Sequence, residues 1–264
     1  MPNLILFGYR AWARIGIKVE PGHLENVASK LVNNPSIYYV VYTLGRFDII
    51  ISSFFKTTEQ LSHFVNFELT RIQGIQSTET MLLVSPRKYN LFSWPKTISE
   101  GNQNELKHNE NNIDKTEQGI LENLMENGLM RPRDLASRLN IGESKIRRSL
   151  KNMLKNELYK LEVVPLTDIK EYETQATIGI NISIKSPHRV MDSILKHPAV
   201  YLASTALGRF NIVVAARFPN NNLLNQFITK FLSSITGIST TETYVHIRRL
   251  KYHNVTWPQF STTD

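Results

Sequence analysis

Apolar and polar residues alternate through Ala13-Arg-Ile-Gly-Ile-Lys-Val19, and this period of two predicts a short strand. Over 22–33 the period lengthens, with Leu24, Val27, Ala28 and Leu31 at helical spacing. Two runs rich in Val, Ile, Tyr and Phe, at 37–43 and 47–55, flank Gly45-Arg46 and predict a hairpin. Thr57 is suited to cap a helix whose Leu61, Phe64, Val65, Leu69 and Ile72 line one face, and Gly74 ends it. Residues 75–84 predict a last strand. The order β-α-β-β-α-β is the ferredoxin-like arrangement, one antiparallel sheet with its helices on one face. The other sheet face stays partly apolar and needs a cover, for which a second sheet of the same kind is the natural candidate.

The pattern returns 163 residues later. T-L-G-R-F-D-I at 43–49 meets A-L-G-R-F-N-I at 206–212, and Thr78-Glu79-Thr80 meets Thr241-Glu242-Thr243. Ala13, Ile15, Gly16 and Ile17 meet Ala176, Ile178, Gly179 and Ile180, and Trp94-Pro95 meets Trp257-Pro258. Roughly 26 of 85 aligned positions are identical without a gap. A period this long indicates a duplicated domain, not a solenoid of short repeats.

Between the copies the pattern changes. Residues 96–113 are polar and Asn-rich without apolar periodicity, which predicts a flexible linker. Ile120, Leu121, Leu124 and Met125 then mark the inner face of a helix closed by Asn127-Gly128. Pro132 opens a second helix with Leu135, Ala136 and Leu139 inward. Asn140-Ile141-Gly142 is a tight turn, and a third helix from about Glu143 to Lys155 carries Ile146, Leu150, Met153 and Leu154 inward. Two short helices around a three-residue turn, with a helix before them, make the helix-turn-helix pattern. The chain therefore divides into an N-terminal ferredoxin-like domain (1–95), the linker (96–113), a helix-turn-helix segment (114–165) and a C-terminal ferredoxin-like domain (166–264). The fold class is α+β.

Charge sharpens this picture. The formal net charge is +8 over 264 residues, a balance that favours nucleic acid or an anionic surface. Its distribution is more telling: residues 131–155 carry eight cations against Asp134 and Glu143, a net +6. On the third helix Arg147, Lys151 and Lys155 recur every four residues opposite the apolar stripe, with Ser144 and Arg148 beside them. A recognition helix needs one buried face and one cationic face, its first turn bearing groups that reach base edges. The alternative is a solvated basic helix in a structural bundle. Cysteine is absent, so disulfides and thiolate metal sites are excluded. No apolar run is long enough to span a bilayer, and the start lacks the basic region of a signal peptide.

On these residues the chain resembles the Lrp/AsnC, or feast/famine, transcription regulators. D-K-T-E-Q-G-I-L-E-N-L-M-E-N-G (114–128) resembles that family's first helix, and R-P-R-D-L-A-S-R-L-N-I-G-E-S-K-I-R-R-S-L (131–150) its turn and recognition helix. L-G-R-F-D with the later T-E-T resembles the G-x-x-D hairpin and T-x-T strand of its ferredoxin-like effector domain. The resemblance implies a cytoplasmic DNA-binding regulator, not an enzyme, without a cofactor, modulated by an amino-acid-like metabolite. It implies duplex contacts by Arg133, Ser144, Lys145, Arg147, Arg148 and Lys151. It implies effector contacts by Gly45, Arg46, Asp48, Thr78 and Thr80, and by Gly208, Arg209, Asn211, Thr241 and Thr243 in the second copy. Asp48 would accept the effector's ammonium, so Asn211 predicts weak binding in copy two. A purely structural role for the hairpin, with Gly45 and Gly208 serving a positive φ and Phe47 and Phe210 the core, is the alternative.

The chain departs from the family in three places. Gly142 stands where Ser is usual, Leu158 and Lys160 replace the residues before the wing, and Asn211 replaces Asp. The 163-residue offset also places a first helix-turn-helix upstream of Met1; truncation, a misplaced start codon or loss would each account for its absence. A two-fold operator needs two reading heads, so a homo-oligomer of at least two chains is expected. Two other functions fit the architecture. Sirohaem decarboxylases look similar but carry a His/Tyr/Arg-rich motif near the first effector strand, where this chain reads Y-R-A-W-A-R-I-G-I-K-V, with no His before His23. The other is a partner that dimerises with a full-length regulator. The seven His residues show no ligand spacing, and Tyr38, Tyr39, Tyr42 and Trp94 are expected to pack.

Overall fold

Residues 9–89, 114–156, 159, 174–183 and 187–252 are described by a computed structural model of the chain. The predicted linker, both Trp-Pro pairs and most of the expected wing lie outside these residues. The chain forms two compact units, one holding both copies of the repeat and the other the central helices.

In chain order, copy one comprises β1 (Ala11–Val19), α1 (Leu24–Asn33), β2 (Ile37–Leu44), β3 (Ile49–Phe55), α2 (Thr58–His63) and β4 (Ile75–Tyr89). The central helices are α3 (Lys115–Glu126), α4 (Pro132–Leu139) and α5 (Glu143–Lys155). Copy two comprises β5 (Thr174–Ile182), α6 (Pro187–Leu195), β6 (Val200–Leu207), β7 (Ile212–Phe218), α7 (Asn221–Gln226) and β8 (Ile238–Tyr252). The βαββαβ order stands as expected in both copies. Ala13, Ile15 and Ile17 of β1 face a core shared with Val27, Leu31, Leu61, Phe64 and Leu69 of the helices. Ala176, Ile178 and Ile180 of β5 do the same beneath α6 and α7.

The helix predicted from Thr57 onward is not plain α. Thr57 caps it by accepting the Gln60 backbone N–H. After His63 it passes through a π turn (Phe64–Glu68) and a 3-10 turn (Leu69–Arg71). Phe64 and Leu69, both fully buried, are five residues apart. A plain α-helix would rotate them about 140° from each other, whereas the wider turn keeps both inward. Copy two repeats the device, with a π turn over Phe227–Leu232 and both end residues buried.

The second face of each sheet is covered by the other copy, through closure and not simple stacking. The strand order is β1-β3-β2-β8-β5-β7-β6-β4, a closed barrel. Its two seams are reciprocal: β2 pairs antiparallel with β8, and β4 with β6. Here the structure corrects the expected end of the last strand at residue 84. β4 runs on to Tyr89 because its outer half pairs with β6, from Leu82↔Leu207 to Tyr89↔Leu202. Ser85-Pro86-Arg87 is tolerated there by register shifts at the seam. Closure leaves no unpaired strand edge in the sheet.

In the helical unit, Ile120, Leu121, Leu135, Ile146 and Met153 are buried together with Tyr159, which the sequence pattern did not single out. Leu154, expected inward, is 48% exposed. It lies about 80° round α5 from the centre of the Ile146–Leu150–Met153 stripe, on its flank. The side chain of Met125 lies outside the described set.

Candidate functional sites

The central unit presents its cations as the sequence implied. Asp114 and Glu117 form a capping box that starts α3. Pro132 occupies the first turn of α4, and Asn140, at φ 53°, ends it in the left-handed region. Ile141 N–H returns to Ala136 O at 3.0 Å, which sets the tight turn. Gly142 opens α5 without a side-chain cap. With Ile146 and Met153 buried beneath, Arg133, Ser144, Lys145, Arg147, Arg148 and Lys151 are all exposed. Ser144, Arg147, Arg148 and Lys151 share one face of α5, with Lys145 at its side. Arg147 is held by Glu143, its Nε and Nη2 donating to Oε1 at 2.9 and 2.6 Å. This exposed i,i+4 pair is weak enough to exchange for a phosphate.

In the barrel unit the structure regroups the hairpin and the T-E-T strand. Gly45 and Gly208, at φ 134° and 124°, make the hairpin tips. Each tip packs on the other copy. A Cβ at Gly45 would lie 3.2 Å from Thr243 O, and one at Gly208 only 2.7 Å from Thr80 O. Both positions therefore need glycine for conformation and for close backbone approach. The tip of one copy meets the T-x-T strand of its twin, so the sets expected within each copy are exchanged across the barrel. Thr78 and Thr80 stand opposite Ile17 and Ile15 on β1, and Thr241 and Thr243 opposite Ile180 and Ile178 on β5. These four threonines lie on the helix side of the sheets, all half-buried.

Between them, Glu79 and Glu242 point the other way and were not anticipated. Arg46 Nη2 approaches Glu79 Oε2 at 3.4 Å. Arg209 bridges the copies, 2.9 Å from Glu242 Oε2 and 3.8 Å from Glu79 Oε1. Glu79 Oε1 is buried and accepts no hydrogen bond. Below this cluster Phe47 stacks on Tyr244 with ring centres 5.3 Å apart, and Phe210 meets the same ring edge-on. Burial, with the Glu242 and Glu79 carboxylates adding to it, holds the Tyr244 hydroxyl protonated well above the usual tyrosine range. A Cβ at Gly16 would sit 2.2 Å from the Phe47 ring, and one at Gly179 2.4 Å from Phe210. The signal for the glutamates was in the sequence, since T-E-T repeats as a triple and not only at its threonines.

Asp48 has a different role from the expected free acceptor. Its Oδ2 accepts the Val19 N–H at 2.8 Å and its Oδ1 accepts Lys18 Nζ at 2.9 Å. Asn211 accepts the Ile182 N–H at 3.0 Å, the same bond one copy later. Asn181 stands where copy one has Lys18, so charge left the two positions together. Asp48 and Asn211 both pin the end of the first strand to the hairpin, and the difference in charge between them is matched by that between Lys18 and Asn181.

The barrel interior holds a further polar group. Arg14 Nη1 donates to Thr177 Oγ1 at 2.6 Å. Thr177 Oγ1 lies 3.0 Å from His246 Nε2, and Tyr39 Oη lies 3.1 Å from His246 Nδ1. Burial first, and the Arg14 charge second, push the His246 pKa down to about 3. Thus His246 is a strand residue aimed inward; His253 lies outside the described residues. Trp12 Nε1 donates to Tyr38 Oη at 2.8 Å, and burial raises that phenol to about 12. Tyr38, Tyr39 and Tyr42 are buried, as packing residues should be. Among the described residues no cluster of three His, Asp or Glu could hold a metal, and no helix is long and apolar enough to cross a membrane.

Comparison with known proteins bears on both units. Residues 13–91 and 175–256 each match the Lrp/AsnC ligand binding domain. Residues 113–158 match a winged helix-turn-helix DNA-binding domain. The HTH-type transcriptional regulator FL11 of Pyrococcus furiosus is 37% identical over 81 residues, 31% of this chain and 53% of that protein. An uncharacterised HTH-type transcriptional regulator of Pyrococcus horikoshii, PH0140, is 25% identical over 134 residues, 50% of this chain and 85% of its own. The chain spans about half the length of the curated relatives that match it first, 53% and 55%. Among solved structures, the siroheme decarboxylase NirDL aligns with 96% of this chain and 75% of its own at a TM-score of 0.61 and 14% identity, a likeness of fold. With the ligand-binding domain matched twice across more than half of its residues, the chain belongs to the Lrp/AsnC family.

Proposed function

We propose that the protein is a cytoplasmic, sequence-specific DNA-binding regulator in which one winged helix-turn-helix (114–165) lies between two effector domains (1–95 and 166–264). It is a binding protein and not an enzyme. The observation that carries this reading is α5, whose buried stripe anchors it while Ser144, Arg148 and Lys151 stand exposed on the opposite face. Arg147, Arg148 and Lys151 would engage phosphates and base edges in the major groove, with Lys145 at the flank and Arg133 holding backbone. A two-fold operator presents two half-sites, and the central heads of at least two chains would fill them.

The effector would be a small amino-acid-like molecule at the crossed hairpins. Gly45, Arg46, Gly208 and Arg209 would serve it directly, while Thr78, Thr80, Thr241 and Thr243, on the opposite face of the same strands, would position the stretches that carry Glu79 and Glu242. Its carboxylate would find Arg46 or Arg209, and its ammonium Glu79, whose Oε1 is left without a hydrogen bond. Asp48 and Asn211 would act through the backbone they hold.

A gel shift against the protein's own upstream region tests the central claim. The wild type should retard it with a steep salt dependence, and Arg147→Ala/Arg148→Ala should bind at least tenfold more weakly with a shallower slope. Equal binding by both would refute it. A Soret band on adding an iron tetrapyrrole, with loss of substrate carboxyl groups, would replace the regulator with an enzyme.

A further inference from the structure

Among the described residues Arg14 is a charge without a counter-charge. Its side chain points from β1 into the barrel and the residue is 4% exposed. A guanidinium carries five N–H donors and stays protonated in proteins. Among the described residues its only hydrogen bond is Nη1 to Thr177 Oγ1, and Nε is buried with no partner. Ser52, directly opposite Arg14 in the β1–β3 ladder, is fully buried; its hydroxyl lies beside the Tyr38 phenol and, among the described residues, meets no partner at full hydrogen-bond geometry. His246 brings no negative charge, and its neighbour Tyr39 is a buried phenol held protonated by burial.

The nearest carboxylates along the strands already face other arginines. Glu79, opposite Gly16 on β4, is approached by Arg46 and Arg209, and Glu242 by Arg209. Two acids and two arginines balance, and Arg14 remains. An isolated ion in a protein interior costs several kcal/mol unless an opposite charge and hydrogen bonds accompany it. The donors are present and the acceptor is missing.

We propose that the barrel interior binds one small monovalent anion, a halide or a compact carboxylate, on Arg14 with Ser52 as a second donor. The site is separate from the hairpin effector site and stands whether or not the regulatory function does. It depends on the two copies being unlike. Position 14 meets its own repeat equivalent, Thr177, and the equivalent of Ser52 is Ala215. Two identical domains would set two guanidiniums face to face, or none. The fused pair supplies one, so the stoichiometry is one anion per chain.

The test uses the full chain at fixed ionic strength maintained with sodium isethionate, a larger and weakly coordinating anion. Sodium bromide and sodium formate are titrated in separate arms while the melting temperature is read. A saturable rise of about 5–10 °C at a hundredfold excess over Kd is expected in either arm. A response to formate alone identifies the ligand as a carboxylate. Arg14→Met should abolish the rise, and Ser52→Ala, which copies Ala215, should weaken the midpoint about fivefold for one lost hydrogen bond. Crystals grown with bromide should show an anomalous peak within hydrogen-bonding reach of Arg14, which requires no variant. Absence of a saturable rise in both arms, an equal rise in Arg14→Met, or, where bromide raises the melting temperature, no bromide peak beside Arg14 would overturn the proposal.

Discussion

His246 makes the barrel acid-sensitive in a way that can be isolated. In the folded chain its pKa is pushed from 6.5 down to about 3, by burial first and by Arg14 second. Below pH 6.5 the unfolded chain therefore takes up a proton that the folded chain refuses, and folding stability falls as the pH falls. The loss begins near the unfolded pKa and continues toward the folded one, at up to about 1.4 kcal/mol per pH unit. Between pH 6.5 and 4.5 the integrated loss from this one group is about 2 kcal/mol. That figure is the same for any folded pKa below about 4, so it rests on the burial and not on the last decimal. His246→Leu, which copies Leu83 at the equivalent place in copy one, removes the proton site while keeping an apolar filler. Urea unfolding of both proteins at pH 7.5, 6.5, 5.5 and 4.5 gives the comparison. The variant pays a constant cost for the Thr177 and Tyr39 contacts, but its stability should fall about 2 kcal/mol less than wild type between pH 6.5 and 4.5. Parallel curves over that range would show that His246 titrates normally and that the buried network is wrong.

Three further outcomes follow from the packing. Asp48→Asn, which copies Asn211, should cost under about 1 kcal/mol because it removes only the part-exposed Lys18 pair, whereas Asp48→Ala should cost about 1–2 kcal/mol more by orphaning the Val19 N–H; equal losses by denaturant titration would refute the strand-pinning role. Gly16→Ala forces the Phe47 ring off Tyr244 and should cost about 1–3 kcal/mol by urea unfolding, and a change below 0.5 kcal/mol, about the scatter of neutral surface substitutions, would mean that the ring has room. Gly142→Ser meets nothing within 4 Å and supplies the missing cap of α5, so calorimetry should show a gain of a few tenths of a kcal/mol, and a loss would contradict the open geometry there.

The residues that sequence periodicity located are those whose fate is decided locally. Ile15 and Ile17 alternate inward, Pro132 starts a helix, Asn140 turns left-handed, and the cationic face of α5 needs only its own 3.6-residue repeat. What periodicity missed is set by the partner copy. β4 outruns its predicted end because β6 supplies hydrogen bonds that no local pattern announces. The π turn exists because Phe64 and Leu69 are both drawn into one core. Glu79 is not singled out by its place between two threonines, because what marks it is the meeting of Arg46 with Arg209 of the other copy at its carboxylate. Asp48 was read as a ligand group, yet its neighbours Lys18 and Val19 consume it; the paired change to Asn181 and Asn211 was the visible clue. Arg14 and Thr177 form one contact only because the two halves close on each other.

The seams between β2 and β8 and between β4 and β6 join parts of a single polypeptide. A barrel assembled from two separate chains opens when its subunits are diluted, and every mutation in it appears twice. This one stays shut at any concentration, since its second half is tethered. Each half is also free to drift alone: a histidine opposite a leucine, a serine opposite an alanine, a lone guanidinium against a hydroxyl. Carrying both copies on one chain thus makes a shell whose two walls can be tuned independently.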